Sequence, residues 1–184
     1  MGLDNGYGLG IGSLKPGVCT SSTRPASPFD GQMIYETDTD RVLVWNNSAW
    51  VQISGETISY TPTWTGITVG NGTNTGAYTI VNNFIHVEGK LIFGSTTSIT
   101  ASTPQGNLPV NSVLAFHVPG SIVYSDSGVA TYFGQPLVIG SSSFYCFIQN
   151  FATTYGSEVG VTSTIPFTWG TNDAITWSLN YRIA

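Results

Sequence analysis

Three carboxylates at alternate positions, Glu36, Asp38 and Asp40, form the densest run of potential ligands in the chain. Their i, i+2, i+4 spacing is that of the first half of a calcium-binding loop, where successive oxygens wrap one hard cation. Such a loop needs glycine at its sixth position for the sharp turn and a bidentate glutamate at its twelfth. Arg41 and Asn47 stand at those places, so the triplet reads as an acidic hairpin turn and no metal is expected there. His86 and Glu88 share one face of a strand and offer a nitrogen and a carboxylate to a metal or to acid–base work. Lys90 continues that face, and a solvated polar surface is the simpler reading. His117, in "SVLAFHVPG", lies opposite Leu114, Phe116 and Val118 and is expected to point outward.

Nucleophilic and paired-acid chemistry finds little material. No GxSxG elbow, HExxH or CxxC occurs. After Glu56 the acids are Glu88, Asp126, Glu158 and Asp173, too scattered to suggest the paired carboxylates of a glycosidase. Cys19 and Cys146 are far apart in sequence and are expected to be free. The loop "GNGTNTG" offers a binding alternative: Asn71 and Asn74 can pair with sugar hydroxyls while Trp64 or Tyr78 stacks on a sugar ring. Asn-Gly steps also serve plain hairpin connections, because both residues tolerate positive φ.

The elements that carry these residues read as strands throughout. In "PFDGQMIYETDTDRVLVWNNSAWV" the alternation predicts Met33–Glu36, Arg41–Trp45 and Trp50–Ile53, joined by an Asp/Thr turn and an Asn-Asn-Ser turn. A three-stranded meander of this size needs something packed on it. From Thr57 onward, candidate strands at 64–69, 76–82, 84–93, 112–118, 121–125, 129–133, 137–140, 143–149, 157–162 and 174–183 have the spacing of a sandwich or barrel. Ile85, Val87, Leu91 and Phe93 are placed inward, as are Ile175, Trp177, Leu179, Tyr181 and Ile183. Two elements look apolar on both faces. In "SSSFYCFIQNF", Phe144, Cys146 and Ile148 oppose Tyr145, Phe147 and Phe151; in the meander, Val42, Val44, Val51 and Ile53 oppose Met33, Tyr35, Leu43, Trp45 and Trp50. A symmetric oligomer buries both faces of such elements where a monomer cannot. The meander is therefore read as an association element, with Met33, Tyr35, Val42, Val44, Trp45 and Trp50 as its interface and acidic turns that discourage stray edge pairing.

Composition narrows the partners. Charged residues are 8% of the 184, against roughly 25% in an average soluble domain, so part of the surface is expected to be covered in an assembly. A net charge of -5 with five scattered Lys and Arg residues argues against nucleic acid. No apolar stretch approaches a membrane span, and the N-terminus lacks a signal peptide's basic start and apolar run. Synthesis in a cytoplasm is expected. At the N-terminus Tyr7, Leu9 and Ile11 alternate with Gly6, Gly8, Gly10 and Gly12, which in an extended strand sets side chains on one face and bare backbone on the other. Neither a GxGxxG fingerprint nor a phosphate loop fits these glycines. Residues 1–27 thus read as an extended docking arm, with Tyr7, Gly8, Leu9, Gly10 and Ile11 at its contact, dispensable for the fold of the remainder.

"CTSSTRPASPFDGQMIYETDTDRVLVWNNSAWV" resembles a small module of tailed-bacteriophage structural proteins, in which a Thr-Arg-Pro turn precedes a short hairpin ending in Asn-x-Ser-Ala-Trp. "YTPTWTGITVGNGTNTGAYTIVNNFIHVEGKLIFGSTTSIT", "NLPV" and "STIPFTWGTNDAITWSLNY" are similar to the C-terminal β-domain of phage minor tail and fibre proteins. The resemblance implies a trimer on the virion exterior, built in the host bacterial cytoplasm. No long repetitive shaft precedes the β-domain, which favours a short knob, as a head decoration, neck or short tail appendage, over a full receptor-binding fibre or tail-tip protein. The expected architecture is all-β: arm 1–27, meander 28–56, and a jelly-roll-like antiparallel β-sandwich 57–184. The expected role is structural and non-enzymatic, without cofactor or metal. Its expected partners are two further copies, other virion proteins through the arm, and bacterial surface glycan at Trp64, Asn71 and Asn74. A free carbohydrate-binding module and a small glycan hydrolase are the rival classes.

Overall fold

The computed structural model describes residues 16–113, 118–152 and 156–184. The docking-arm residues Tyr7 to Ile11, and His117 with its neighbours Leu114–Phe116, lie outside them. Every regular element in the described residues is a strand. None of those residues forms a helix long and apolar enough to cross a membrane. The chain divides into two compact units, one ending at Ser54 and one running from Gly55 to Ala184.

The first unit is a four-stranded sheet in the order β1-β2-β3-β4, with β1 Gly17–Cys19, β2 Met33–Glu36, β3 Arg41–Trp45 and β4 Trp50–Gln52. The three-stranded meander falls where the alternation placed it. Its hairpin residues Asp40 (φ 51) and Asn47 (φ 68) take left-handed backbone conformations, which Asp and Asn adopt more readily than other side chains. Asn46 Oδ1 closes the second turn by accepting from the Ser48 and Ala49 amides at 3.1 and 2.8 Å.

Residues 16–27 are not the free-standing arm expected of them. β1 pairs in parallel with β2, Gly17 opposite Ile34 and Cys19 opposite Glu36, and the Thr37 amide donates to Cys19 O at 2.9 Å. The segment that follows is tied back to the sheet by Ser21 and Arg24. A three-residue strand with a Gly and a Cys carries no alternation from which to read such a pairing.

The second unit is an antiparallel β-sandwich. Its larger sheet has six strands in the order β13-β12-β17-β9-β8-β5, with β5 Thr57–Tyr60, β8 Thr73–Val81, β9 Phe84–Ile92, β12 Gly120–Asp126, β13 Ala130–Gly134 and β17 Ala174–Arg182. The facing sheet runs β14-β15-β11-β6, with β16 on the far half of β15. Its strands are β6 Trp64–Thr65, β11 Gln105–Asn107, β14 Pro136–Ile139, β15 Ser143–Asn150 and β16 Ser157–Gly160. A small ladder joins β7 Ile67–Thr68 to β10 Ser98–Ile99. β5, β10 and β11 were not foreseen; each has four residues or fewer. The described residues of 112–118 form no strand.

The core lies between the two sheets. Ile85, Val87 and Leu91 of β9, Ile122 and Tyr124 of β12, and Ile175, Trp177, Leu179 and Tyr181 of β17 meet Val138, Phe144, Cys146 and Ile148. Phe144, Cys146 and Ile148 are buried, while Tyr145 and Phe147 on the opposite face of β15 are half-buried. Trp64, Phe144 and Trp177 form an aromatic cluster with centroids 5.2 to 5.8 Å apart. Two core hydroxyls are satisfied by backbone: Tyr124 donates to Phe147 O at 2.9 Å and Tyr181 to Val110 O at 2.8 Å.

One cross-strand row departs from the pattern of branched inward residues. Trp177 pairs with Gly89, Gly89 with Gly76, and Gly76 with Tyr60. A Cβ on Gly89 would stand 2.1 Å from Trp177 Cζ2, and one on Gly76 would stand 2.5 Å from Tyr60 Cε1. The two rings therefore lie over the glycines from either side, and only glycine fits beneath them.

Candidate functional site

In the first unit the acidic turn is built into the fold. Glu36 has no solvent-accessible surface, and its carboxylate receives Arg24 Nε and, at 2.8 Å, Thr39 Oγ1. Its partner across the ladder is Arg41, yet the cation that reaches it is Arg24, twelve residues earlier. The hydrogen bond from Arg24 holds the Glu36 carboxyl below the usual carboxylate range, against an opposing contribution from burial. The cover over Glu36 is thin, since Arg24 itself remains 37% exposed. Asp38 accepts from the Ser21 hydroxyl at 2.6 Å and the Ser21 amide at 2.9 Å, which lowers its pKa as well. Asp40 accepts from Tyr35 OH at 2.5 Å. The three carboxylates thus serve separate partners, and no group of three metal-ligating side chains occurs among the described residues.

The register separates the six residues expected to share an interface. Met33 lies opposite Val44, Tyr35 opposite Val42, and Trp45 opposite Trp50. Met33, Tyr35, Val42 and Val44 therefore occupy one face of the sheet. Trp45 and Trp50 occupy the other, with Ile34 and Leu43, and their rings meet edge to face at 5.6 Å. Grouping Met33 and Tyr35 with Leu43 was wrong by one residue of register, which moves every side chain to the opposite face. The corrected face carries Val18, Met33, Tyr35, Val42, Val44, Val51 and, beside them, Ile53, without a charged side chain. Val18 is 71% and Ile53 49% exposed. The opposite face holds the buried Ile34, Glu36 and Leu43.

In the sandwich, the loop proposed for glycan is occupied with its own structure. Asn71 Oδ1 accepts from the Thr96 amide and hydroxyl at 2.9 and 2.8 Å, and its Nδ2 donates to Ser95 Oγ at 3.1 Å. Asn74 accepts from Trp64 Nε1 at 3.1 Å and donates to Pro62 O at 2.5 Å. Trp64 packs on Phe144 and Trp177, and Tyr78 meets Tyr60 edge to face. Asn71, Asn74 and the Trp64 indole nitrogen are thus engaged in fastening the hairpin within the chain.

His86 and Glu88 do share the outer face of β9, 3.9 Å apart, and His86 Nδ1 lies 2.9 Å from Asn180 Oδ1. Glu88 and Lys90 border a concavity of about 430 Å³ over the middle of the six-stranded sheet, lined also by Thr75, Ala77, Ser121, Val123, Thr176 and Ser178. Period-two alternation marked Glu88, Lys90, Thr176 and Ser178 as outward but not that the surface dips there. Cys19 and Cys146 are both free. Burial pushes the Cys146 thiol up to about 12.

The chain thus combines a small sheet unit that carries an uncharged apolar face with an antiparallel sandwich whose larger sheet has a mostly polar outer surface. No family model, curated protein or solved structure matches the chain.

Proposed function

We propose that this chain is a non-enzymatic structural protein of a tailed-phage virion exterior, a short homotrimeric knob in which the first unit assembles the trimer and the sandwich projects outward. Head decoration, neck or short tail appendage are the settings of this reading, with a receptor-binding fibre or tail-tip protein as the alternative. The observation that carries the assembly half of this reading is the uncharged face of Val18, Met33, Tyr35, Val42, Val44 and Val51. A sheet with one face on its own core and an exposed apolar second face calls for a partner, and a chain with 8% charged residues offers itself as that partner. Docking to other virion proteins through the N-terminal residues completes the reading.

Light scattering on the purified protein at micromolar concentration should give three chains per particle. Val44→Asp, on the uncharged face, should shift it toward monomer, because an unpaired carboxylate would be buried at the interface. Trp45→Asp, on the opposite face, should act by unfolding the unit instead. A wild-type protein that is monomeric, or a Val44→Asp variant as trimeric as wild type, refutes the assignment. A monomer would return the chain to the class of free carbohydrate-binding modules.

A further inference from the structure

Two cross-strand rows run through and beside the concavity on the outer face of the six-stranded sheet. The first runs Phe133, Val123, Thr176, Lys90, Thr75, each residue directly opposite the next on the neighbouring strand. The second runs Ser121, Ser178, Glu88, Ala77. Most of these side chains are small, so the surface dips over β12, β17, β9 and β8, and the exposed Phe133 ring, 64% accessible, stands next to Val123 at the sheet edge. Inward bulk is carried on the other side of the sheet by Trp177 and Tyr60 over the paired glycines. Four strand spacings of ~4.8 Å make the first row roughly 19 Å long. The row, dip and bordering ring together, is therefore long enough for several linked rings.

The polar atoms here differ from those of the hairpin loop. Among the described residues Thr75, Lys90, Ser121, Thr176 and Ser178 make no side-chain hydrogen bond or ion pair, whereas Asn71, Asn74 and Trp64 are all engaged within the chain. Hydroxyls that both donate and accept, one ammonium and one carboxylate facing the same dip, and an exposed aromatic ring at its end match a polyol backbone with apolar ring faces. One cation and one anion cancel on this surface, and the net charge of -5 disfavours a polyanion. A volume near 430 Å³ lies in the range of ligand sites.

We infer that the outer face of the six-stranded sheet, from Phe133 to Thr75, is a binding site for a neutral oligosaccharide. Phe133 stacks on a ring at one end, the Thr176 and Ser178 hydroxyls bond along the chain, and Glu88 and Lys90 anchor the middle. The inference deepens the reading of the sandwich as the outward, glycan-contacting part of a virion knob and rests on it for its biological setting.

The test titrates the full-length protein with maltohexaose, cellohexaose and chitohexaose, with an oligogalacturonate as the anionic comparator, while amide shifts are followed by NMR. At least one neutral probe should bind with a dissociation constant of about 0.1–1 mM, with shifts confined to β8, β9, β12, β13 and β17. Thr176→Arg, which fills the dip from an exposed position, should abolish binding, and Phe133→Ala should weaken it at least fivefold, both with unchanged melting. Asn71→Ala should leave binding unaltered. No binding by any neutral probe, binding by the oligogalacturonate alone, or affinity undiminished in Thr176→Arg overturns the inference. Light scattering on the same samples keeps the two readings apart: a monomer that binds sugar sinks the virion knob and spares the site, and a trimer that binds none does the reverse.

Discussion

Replacing Arg24 by Ala removes the only ion-pair partner recorded for Glu36 among the described residues and leaves that carboxylate with Thr39 alone. Breaking a buried pair from one side costs about 3–5 kcal/mol, and a solvent-screened pair is worth about 1 or less. Arg24 is 37% exposed and Glu36 fully covered, and the cover is thin enough for water to reach the orphaned carboxylate after a small shift. A loss of about 2 kcal/mol is therefore expected. At ~0.05–0.15 kcal/mol per residue, the described residues 16–54 of the first unit have roughly 2–6 kcal/mol in all. The variant should consequently populate an opened first unit while the sandwich stays folded. Hydrogen exchange read by mass spectrometry on peptides covering 33–52 should accelerate about 30-fold, that is exp(2/0.59), with peptides from 84–92 and 174–182 unchanged. The double variant Arg24→Gln with Glu36→Gln should recover more than half of the loss, since no charge is then buried. Truncation at Pro28, which also removes β1, should open the unit further. Arg24→Ala with wild-type exchange across 33–52 would show that the ion pair does not hold the strap to the sheet.

Gly89→Ala should destabilise the sandwich by at least 2 kcal/mol, because its Cβ would meet the Trp177 ring at 2.1 Å where an overpacked core typically loses 1–3; a melting point within a degree of wild type would refute the close packing of that row. The pH dependence should differ between the units. Glu36 and Asp38 have depressed folded values, so their contribution is present above the ordinary carboxylate range and is lost as pH falls through those lower values. Exchange across 33–52 should therefore rise selectively below about pH 4. The Cys146 thiol and Tyr60 hydroxyl are each raised to about 12, so the stability linked to them is complete below their unfolded values and falls as pH climbs toward 12. Alkaline melting led by the sandwich is expected, and a flat profile from pH 9 to 12 contradicts it.

The alternation of side chains was enough to place the meander, β9 and β17, because each is long or strongly patterned and one face of it is buried. It also marked Trp177 as core. It could not supply which strand faces which: parity within β2 and β3 is visible locally, but whether Met33 sides with Val44 or Leu43 depends on the hairpin register. β1 and β11 escaped because three residues carry no period. The carboxylate of Glu36 looked like turn chemistry, since nothing in its spacing points to an arginine twelve residues earlier. Asn71 and Asn74 were read as available for ligand because a sequence shows donor and acceptor types but not whether they are already satisfied. The outer concavity was hidden for a related reason, as depth on a sheet depends on neighbours from several strands.

The two cysteines differ in a way that makes the protein its own reporter. Cys146 is wholly buried with its thiol held in the unreactive protonated form, while Cys19 on β1 is only half-buried. A maleimide added to the native protein therefore attaches a single fluorophore to the small sheet without any engineered site. Mixing donor-labelled and acceptor-labelled samples would turn subunit exchange into an energy-transfer signal, and exposure of Cys146 to the same reagent would date the moment the sandwich opens.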